Sequence, residues 1–163
     1  MLEAPRVSDQ LRRAFSGDAW HGSPLSELLA DVAVDQALAR PLPSAHTIWE
    51  LVLHIDAWVN AAFNAAQGGL MPKLVGTDGD WPPIRDKSPE VWVKTKANLF
   101  EGAEQLAKAV AAFSDARLQH TVPGRDYDFY HLFHGIVQHS LYHGGQIALL
   151  RKSHEPTEAG ETG

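Results

Sequence analysis

Residues 128–152 read DFYHLFHGIVQHSLYHGGQIALLRK, and apolar residues recur in this stretch every three or four positions. Such spacing predicts one long amphipathic α-helix, from about Asp128 to Lys152, with a single face turned toward a core. Two histidines belong to that face. Its members are Leu132, Phe133, Ile136, His139, Ser140, His143 and Ile147.

His139 and His143 stand four residues apart, which on an α-helix separates them by about 40° around the axis and about 6 Å along it. Two imidazoles so placed can hold one metal ion from a single helix face. A second interpretation stays open, because histidine pairs also occur by chance and a buried histidine is more often a hydrogen-bonded core residue. The spacing alone does not separate the two.

A second helix is predicted from near Ser44 to about Gln67, where a Gly-Gly pair ends it. Thr47, followed three residues later by Glu50, matches a capping box at its start. His54 lies on the predicted buried face, where its polar nitrogens are costly unless something satisfies them, as a metal ion would. The residues of that face are Ile48, Leu51, His54, Ile55 and Trp58.

The rest of the chain predicts a broken first helix and one more long helix. Arg6–Phe15 forms a short helix, and Ser23-Pro24 offers an N-cap with proline at the first position of another. Ser88 opens a helix that runs to about Phe113. Residues 68–87, rich in Gly, Pro and Asp, form a long connection between helices.

Strand signals are weak throughout the chain, so the predicted fold is all-α. The helices and the long connection predict a four-helix bundle with a crossover. Residues 1–152 would form this single domain, and the polar residues 153–163 a flexible C-terminal tail.

The composition narrows the class of protein. The 163 residues include 9 histidines and no cysteine, and the net charge is -6. Without cysteine there are no disulfides and no thiolate ligands, so a metal site must use imidazole, carboxylate or water. The acidic charge and scattered basic residues argue against nucleic-acid binding. Since no apolar run approaches the roughly 20 residues that span a bilayer and no signal peptide is evident, we expect a cytoplasmic protein without membrane contact.

The other histidines are predicted to lie away from the metal site. By helix geometry His134 points about 180° away from His143, and His131 lies too far along the helix from His139. The remaining histidines are expected in loops or at helix ends, as surface or capping residues: His21, His46, His120 and His154.

Several neighbours of the three histidines have two possible roles. Glu50 either orients His54 or only caps its helix, and Trp58 either walls a metal pocket or fills the core. The mid-helix pair Gly144-Gly145 predicts close approach of another helix or of a partner subunit. Gln146 would hydrogen-bond either near the site or across a helix contact.

Three segments of the chain resemble the DinB-like (DinB/YfiT) superfamily of metalloenzymes. They are AWHGSPLSELLADV from Ala19, RPLPSAHTIWELVLHIDAW from Arg40, and LFHGIVQHSLYHGGQIALLRK from Leu132. The resemblance implies a four-helix bundle with a long crossover, commonly a homodimer. It also implies one divalent ion, zinc or nickel, bound by a histidine triad. By motif position the triad falls on His54, His139 and His143.

The resemblance leaves the reaction open. Characterised members include thiol S-transferases that use bacillithiol or mycothiol, and a mycothiol-dependent maleylpyruvate isomerase. We therefore expect a metal-dependent transferase that acts on a small-molecule substrate with a low-molecular-weight thiol. The alternatives are a metal-dependent hydrolase and a non-catalytic metal-binding stress-response protein. Peptidase activity is disfavoured, because Ser140 follows His139 where the zinc proteases carry their catalytic glutamate.

Overall fold

A computed structural model describes residues 2–153, and the secondary structure in that range consists of helices with no strand. The all-α prediction is therefore confirmed for this part of the chain. Of the predicted tail only Ser153 is described, and the rest lies outside the described residues. The helices are α1 Glu3–Phe15, α2 Leu25–Leu29, α3 Val34–Leu38, α4 Ile48–Ala66, α5 Pro89–Ala111, α6 Asp115–Leu118 and α7 Phe129–Lys152.

The four long helices enclose a common core. Helix α4 packs against α5 and α7, and α1 packs against the same two helices. The short helices lie at the margins, α2 against α7 and α3 against α4. Among the largest fully buried side chains are Phe15 of α1, Trp49 of α4, Leu106 of α5 and Phe133 of α7. The inner face of each long helix thus supplies part of one hydrophobic core. Within residues 2–153 no helix has the length and hydrophobicity needed to cross a membrane.

Local caps begin the three longest helices. Thr47 Oγ1 accepts the backbone N–H of Glu50 at 3.2 Å, and the Glu50 carboxylate accepts that of Thr47 at 2.7 Å, which confirms the capping box. With Thr47 in an extended conformation, α4 begins at Ile48, so the predicted start near Ser44 is wrong by one turn. Ser88 and Asp128 cap α5 and α7 through their side chains.

The N-terminal third departs most from the predicted boundaries. Helix α1 begins at Glu3 rather than Arg6, because the Asp115 carboxylate accepts the backbone N–H groups of Glu3 and Ala4 at 2.9–3.1 Å. The predicted N-cap at Ser23 is wrong: Pro24 occupies the cap position and makes no side-chain cap bond. These ends depend on long-range contacts or on very short helices, which leave little local signal.

Residues 67–88 connect α4 to α5 without a helix or strand, as the sequence predicts. The connection is packed against the helices. Met71 and Leu74 are buried, and the backbone N–H of Met71 donates to the carbonyl oxygen of Pro123 at 2.9 Å. This path brings Asp80 and Trp81 against α4 beside His54.

Replacing Asp56 by asparagine is expected to stabilise the protein by about 1 kcal/mol at pH 7. Burial raises the pKa of the Asp56 carboxyl, and its Oδ1 finds no hydrogen-bond partner within residues 2–153. An ionised carboxylate is therefore disfavoured where α4 faces Gly102 of α5. Thermal denaturation of the variant and of an Asp126→Asn control, which alters an exposed carboxylate, measures the gain.

The gain should shrink as the pH falls. A carboxyl whose pKa is raised in the folded state binds its proton more tightly there than in the unfolded chain, so acidification stabilises the wild type at Asp56 but not the asparagine variant. Equal stability of variant and wild type at pH 7 would contradict the prediction.

Candidate metal centre

Three histidines from two helices meet inside the protein. His54 on α4 and His143 on α7 are 5% and 6% exposed, and His139 on α7 is partly buried. One nitrogen from each ring can be chosen so that all three lie within 4.8 Å of one another. Within residues 2–153 no other group of three or more His, Cys, Asp or Glu side chains meets this condition. The structure thus brings together the three residues that the sequence predicted as ligands.

The separations between the rings match a shared ion. Nε2 of His139 lies 2.9 Å from Nε2 of His54. Two nitrogens each about 2.0 to 2.1 Å from one ion lie roughly 2.8 to 3.4 Å apart for angles between about 90° and 110°. The ring centroid of His143 lies 4.7 Å from that of His54 and 4.5 Å from that of His139. The donor set of three imidazoles therefore fits a divalent transition metal.

Hydrogen bonds orient two of the three rings. His54 Nδ1 donates to the backbone carbonyl oxygen of Asp80 at 2.6 Å, and His143 Nδ1 donates to Oε1 of Gln146 at 2.9 Å. Because these oxygens only accept, each Nδ1 carries the proton and each Nε2 keeps a free lone pair for a metal. Gln146 therefore forms its hydrogen bond at the site, with His143, which is the first of the two roles considered for it.

Asp80 and Trp81 form a second layer around His54. The Asp80 carboxylate accepts the indole N–H of Trp58 at 2.9 Å and lies 3.2 Å from His54 Nδ1. Trp81 stacks on the His54 ring with 3.9 Å between centroids and 5° between planes. His46 stacks on Trp81 in turn, at 3.5 Å and 8°. His54 is thereby fixed both at its edge and on its face.

Burial keeps the imidazoles neutral. Desolvation lowers the pKa of His54, His139 and His143, and for His139 the value falls to about 3. Repulsion by His143 and His54 lowers the His139 pKa further, since neighbouring imidazolium ions repel one another. Neutral imidazole is the form that binds metals, so the site is ready to bind an ion at pH 7 without releasing protons from these rings.

Two hollows lie next to the cluster. A cavity of about 210 Å³ is lined in part by His139, Trp58 and Gly135. A larger cleft of about 420 Å³ is lined in part by Trp81 and by His46. Only the smaller of these two has a triad histidine in its wall.

The neighbouring residues take one of the two roles foreseen for each. Glu50 caps α4 and pairs with Arg40 at 2.7 Å, and no bond between Glu50 and His54 occurs in the described part of the chain. Trp58 lies beside the site, its ring centroid 5.6 Å from that of His139. A Cβ added at Gly144 would lie 3.6 Å from Leu25 Cδ2, so α2 approaches α7 there.

The histidines predicted to lie elsewhere do so where they are described. His131 and His134 are outside the cluster, and His21, His46 and His120 are exposed, while His154 lies outside the described residues. His46 has more than a surface role, because it supports Trp81. Sequence reasoning missed both Asp80 and Trp81. The one local signal was their place in the long connection that follows α4, the helix of His54.

Asp80→Ala is expected to weaken binding of a divalent ion by about 10-fold, with the overall fold retained. The carboxylate fixes Trp58 and approaches His54 Nδ1, so its loss loosens the ring that presents Nε2 to the metal. Competition with a chromogenic chelator measures the dissociation constant. Asp78→Ala, at an exposed carboxylate two residues earlier, is the control, and equal affinities in both variants would show that the Asp80 carboxylate does not orient His54.

The family model of the DinB superfamily matches residues 19–147 of the sequence. This range is more than half of the chain and includes all three histidines. No curated protein and no solved structure matched the chain.

Proposed function

This chain belongs to the DinB superfamily, and from that premise we propose that it is a metal-dependent enzyme with one divalent ion, zinc or nickel. The ion is bound by His54, His139 and His143. The observation that carries the proposal is the convergence of three neutral imidazoles whose ligand atoms lie within 4.8 Å of one another. Family membership alone does not establish the reaction.

The number of ligands supports catalysis over a purely structural role. Structural zinc sites usually have four protein ligands, and catalytic sites usually have three and leave a position for water or substrate. The cluster in the described part of the chain has three members. The nearby Asp80 accepts from the indole N–H of Trp58 and from Nδ1 of His54, the nitrogen that faces away from the ion, so it does not supply a fourth ligand.

We propose that the reaction transfers a low-molecular-weight thiol to a small electrophilic substrate. A bound divalent ion supplies Lewis acidity, which lowers the pKa of a thiol or water at the remaining position. The transfer forms a carbon–sulfur bond, releases the leaving group of the electrophile and passes the thiol proton to solvent. The three histidines hold the ion, while Asp80, Trp81 and Gln146 keep two of the rings in place.

A thiol panel tests the reaction. Metal-loaded protein is incubated with different low-molecular-weight thiols and a halogenated aromatic electrophile, and thioether formation is followed. The proposal expects turnover with at least one thiol and none with His143→Ala. Hydrolysis of esters or amides without thiol would support the hydrolase instead. No turnover in either assay would leave a metal-binding protein without catalysis and overturn the proposal.

We further propose that residues 1–152 form one DinB-like four-helix bundle with a long crossover. In support, the four long helices pack as a closed ring, and residues 67–88 link two of them. The proposal extends to a cytoplasmic homodimer without nucleic-acid or membrane partners. Sedimentation of the protein in solution tests the dimer, and elemental analysis of protein purified without added metal identifies the ion.

A further inference from the structure

The cavity beside His139 adjoins the metal centre. His139 and Trp58 both line it, and their ring centroids are 5.6 Å apart. Trp58 lies on α4 together with His54, and its ring stands edge-on to that of His54 at 6.5 Å between centroids. A molecule in this cavity therefore contacts His139 directly. It also contacts Trp58, which lies beside both His139 and His54.

The lining of this cavity favours an uncharged, apolar occupant. Aromatic walls come from Trp58 and from Tyr127, and none of the lining residues in the described part of the chain is Asp, Glu, Lys or Arg. Aromatic side chains bind flat apolar groups well. The larger cleft differs, because Arg40, Glu50 and Lys87 line it and no triad histidine does.

The size of the cavity suits one ring. Its volume is about 210 Å³, and an apolar cavity of roughly 150 Å³ is enough to hold benzene. Pockets for whole drug-sized ligands usually exceed about 300 Å³. The cavity is thus large enough for one ring of a substrate.

Gly135 keeps this space open. It lies in α7, one turn before His139, where glycine costs up to about 1 kcal/mol of helix stability relative to alanine. A Cβ built at Gly135 meets no atom within 4 Å, so close packing of a neighbouring helix does not require the glycine. Any larger side chain there would project from a residue in the cavity wall.

We propose that the cavity between Trp58, Gly135 and His139 is the subsite for an uncharged aromatic or short aliphatic group of the substrate. The assignment rests on the proposed function, because it takes the metal centre as the place of reaction. It gives the electrophile, rather than the thiol, the apolar site next to His139. Apart from His139 its only basic lining residue in the described part of the chain is His131, and with neither lysine nor arginine it offers no permanent positive charge to an acidic substrate.

A binding experiment on cobalt-loaded protein tests the subsite without turnover. Imidazole and 4-phenylimidazole are titrated against the protein, and the visible absorption of cobalt reports occupancy of the open position. Burial of the phenyl group should make 4-phenylimidazole bind about 10-fold tighter or more. Gly135→Leu should reduce that preference to less than about 2-fold while leaving imidazole and cobalt binding unchanged.

Gly145→Leu is the matched control. Gly145 lies in the same helix, is exposed, and has no atom within 4 Å of a built Cβ, so the same substitution tests helix effects away from the cavity. It should keep the wild-type preference for 4-phenylimidazole. Equal affinities of the two probes in the wild type, or an unchanged preference in Gly135→Leu, would overturn the subsite alone. Failure of the wild type to bind cobalt would overturn the proposed metal centre and the subsite together.

Discussion

His143→Ala should lower the affinity for a divalent ion by more than about 100-fold, beyond the 10–100-fold loss typical when only an outer-layer partner is removed. His143 contributes one of three imidazoles, so its loss leaves two protein ligands for the ion. The fold should survive, because the substitution removes a buried polar ring whose burial already disfavours its charged form. Isothermal titration with zinc and with nickel measures the change, and circular dichroism checks the helices.

His134→Ala is the matched control for that loss. His134 lies on the same helix, packs against Tyr130 with the rings tilted by 52° and 4.3 Å between centroids, and stands outside the cluster. It should bind the ion with wild-type affinity. His54→Ala and His139→Ala should each behave like His143→Ala. If any of the three kept wild-type affinity, the ion would be held without that residue and the triad would be wrong.

The sequence predicts the long helices well because their determinants are local. Apolar spacing marks the buried faces of α4, α5 and α7, and side-chain caps at Thr47, Ser88 and Asp128 mark their first turns. The start of α1 could not be predicted, since its cap is Asp115, more than a hundred residues away. Helix α6, only four residues long, is too short to show periodicity.

The residues of the site also fall into those that the sequence predicts and those that it does not. The spacing of His139 and His143 on one helix face indicates a metal pair, and the buried stripe of α4 places His54 inward. That His54 belongs to the site followed from the family resemblance. Asp80 and Trp81 could not be predicted, because their contacts with His54 bridge 26 or more residues and come from a connection without periodic structure. Only the path of that connection across the helices creates them.

Adding zinc or nickel to the metal-free protein should raise its melting temperature by about 8–16 °C at a free concentration of about 1,000 times the dissociation constant. An ion that binds only the folded state then contributes about 4 kcal/mol, and in a chain of this size each kcal/mol shifts the midpoint by about 2–4 °C. Differential scanning calorimetry with and without metal measures the shift. His143→Ala should show little of it, and His134→Ala all of it.

The stabilisation should also persist at pH 5.5. Three ordinary histidines with a pKa of about 6.5 would each be roughly nine-tenths protonated there, and metal affinity would fall about 1,000-fold by proton competition. Burial lowers the pKa of all three rings in the folded protein, for His139 to about 3. Protons therefore compete weakly for the folded site, although they bind the unfolded chain and lower the stability of the metal-free protein as the pH falls below about 6.5. A metal-induced shift that disappears between pH 7.5 and 5.5 would mean that the rings titrate as exposed histidines do, and that burial does not prepare this site for its ion.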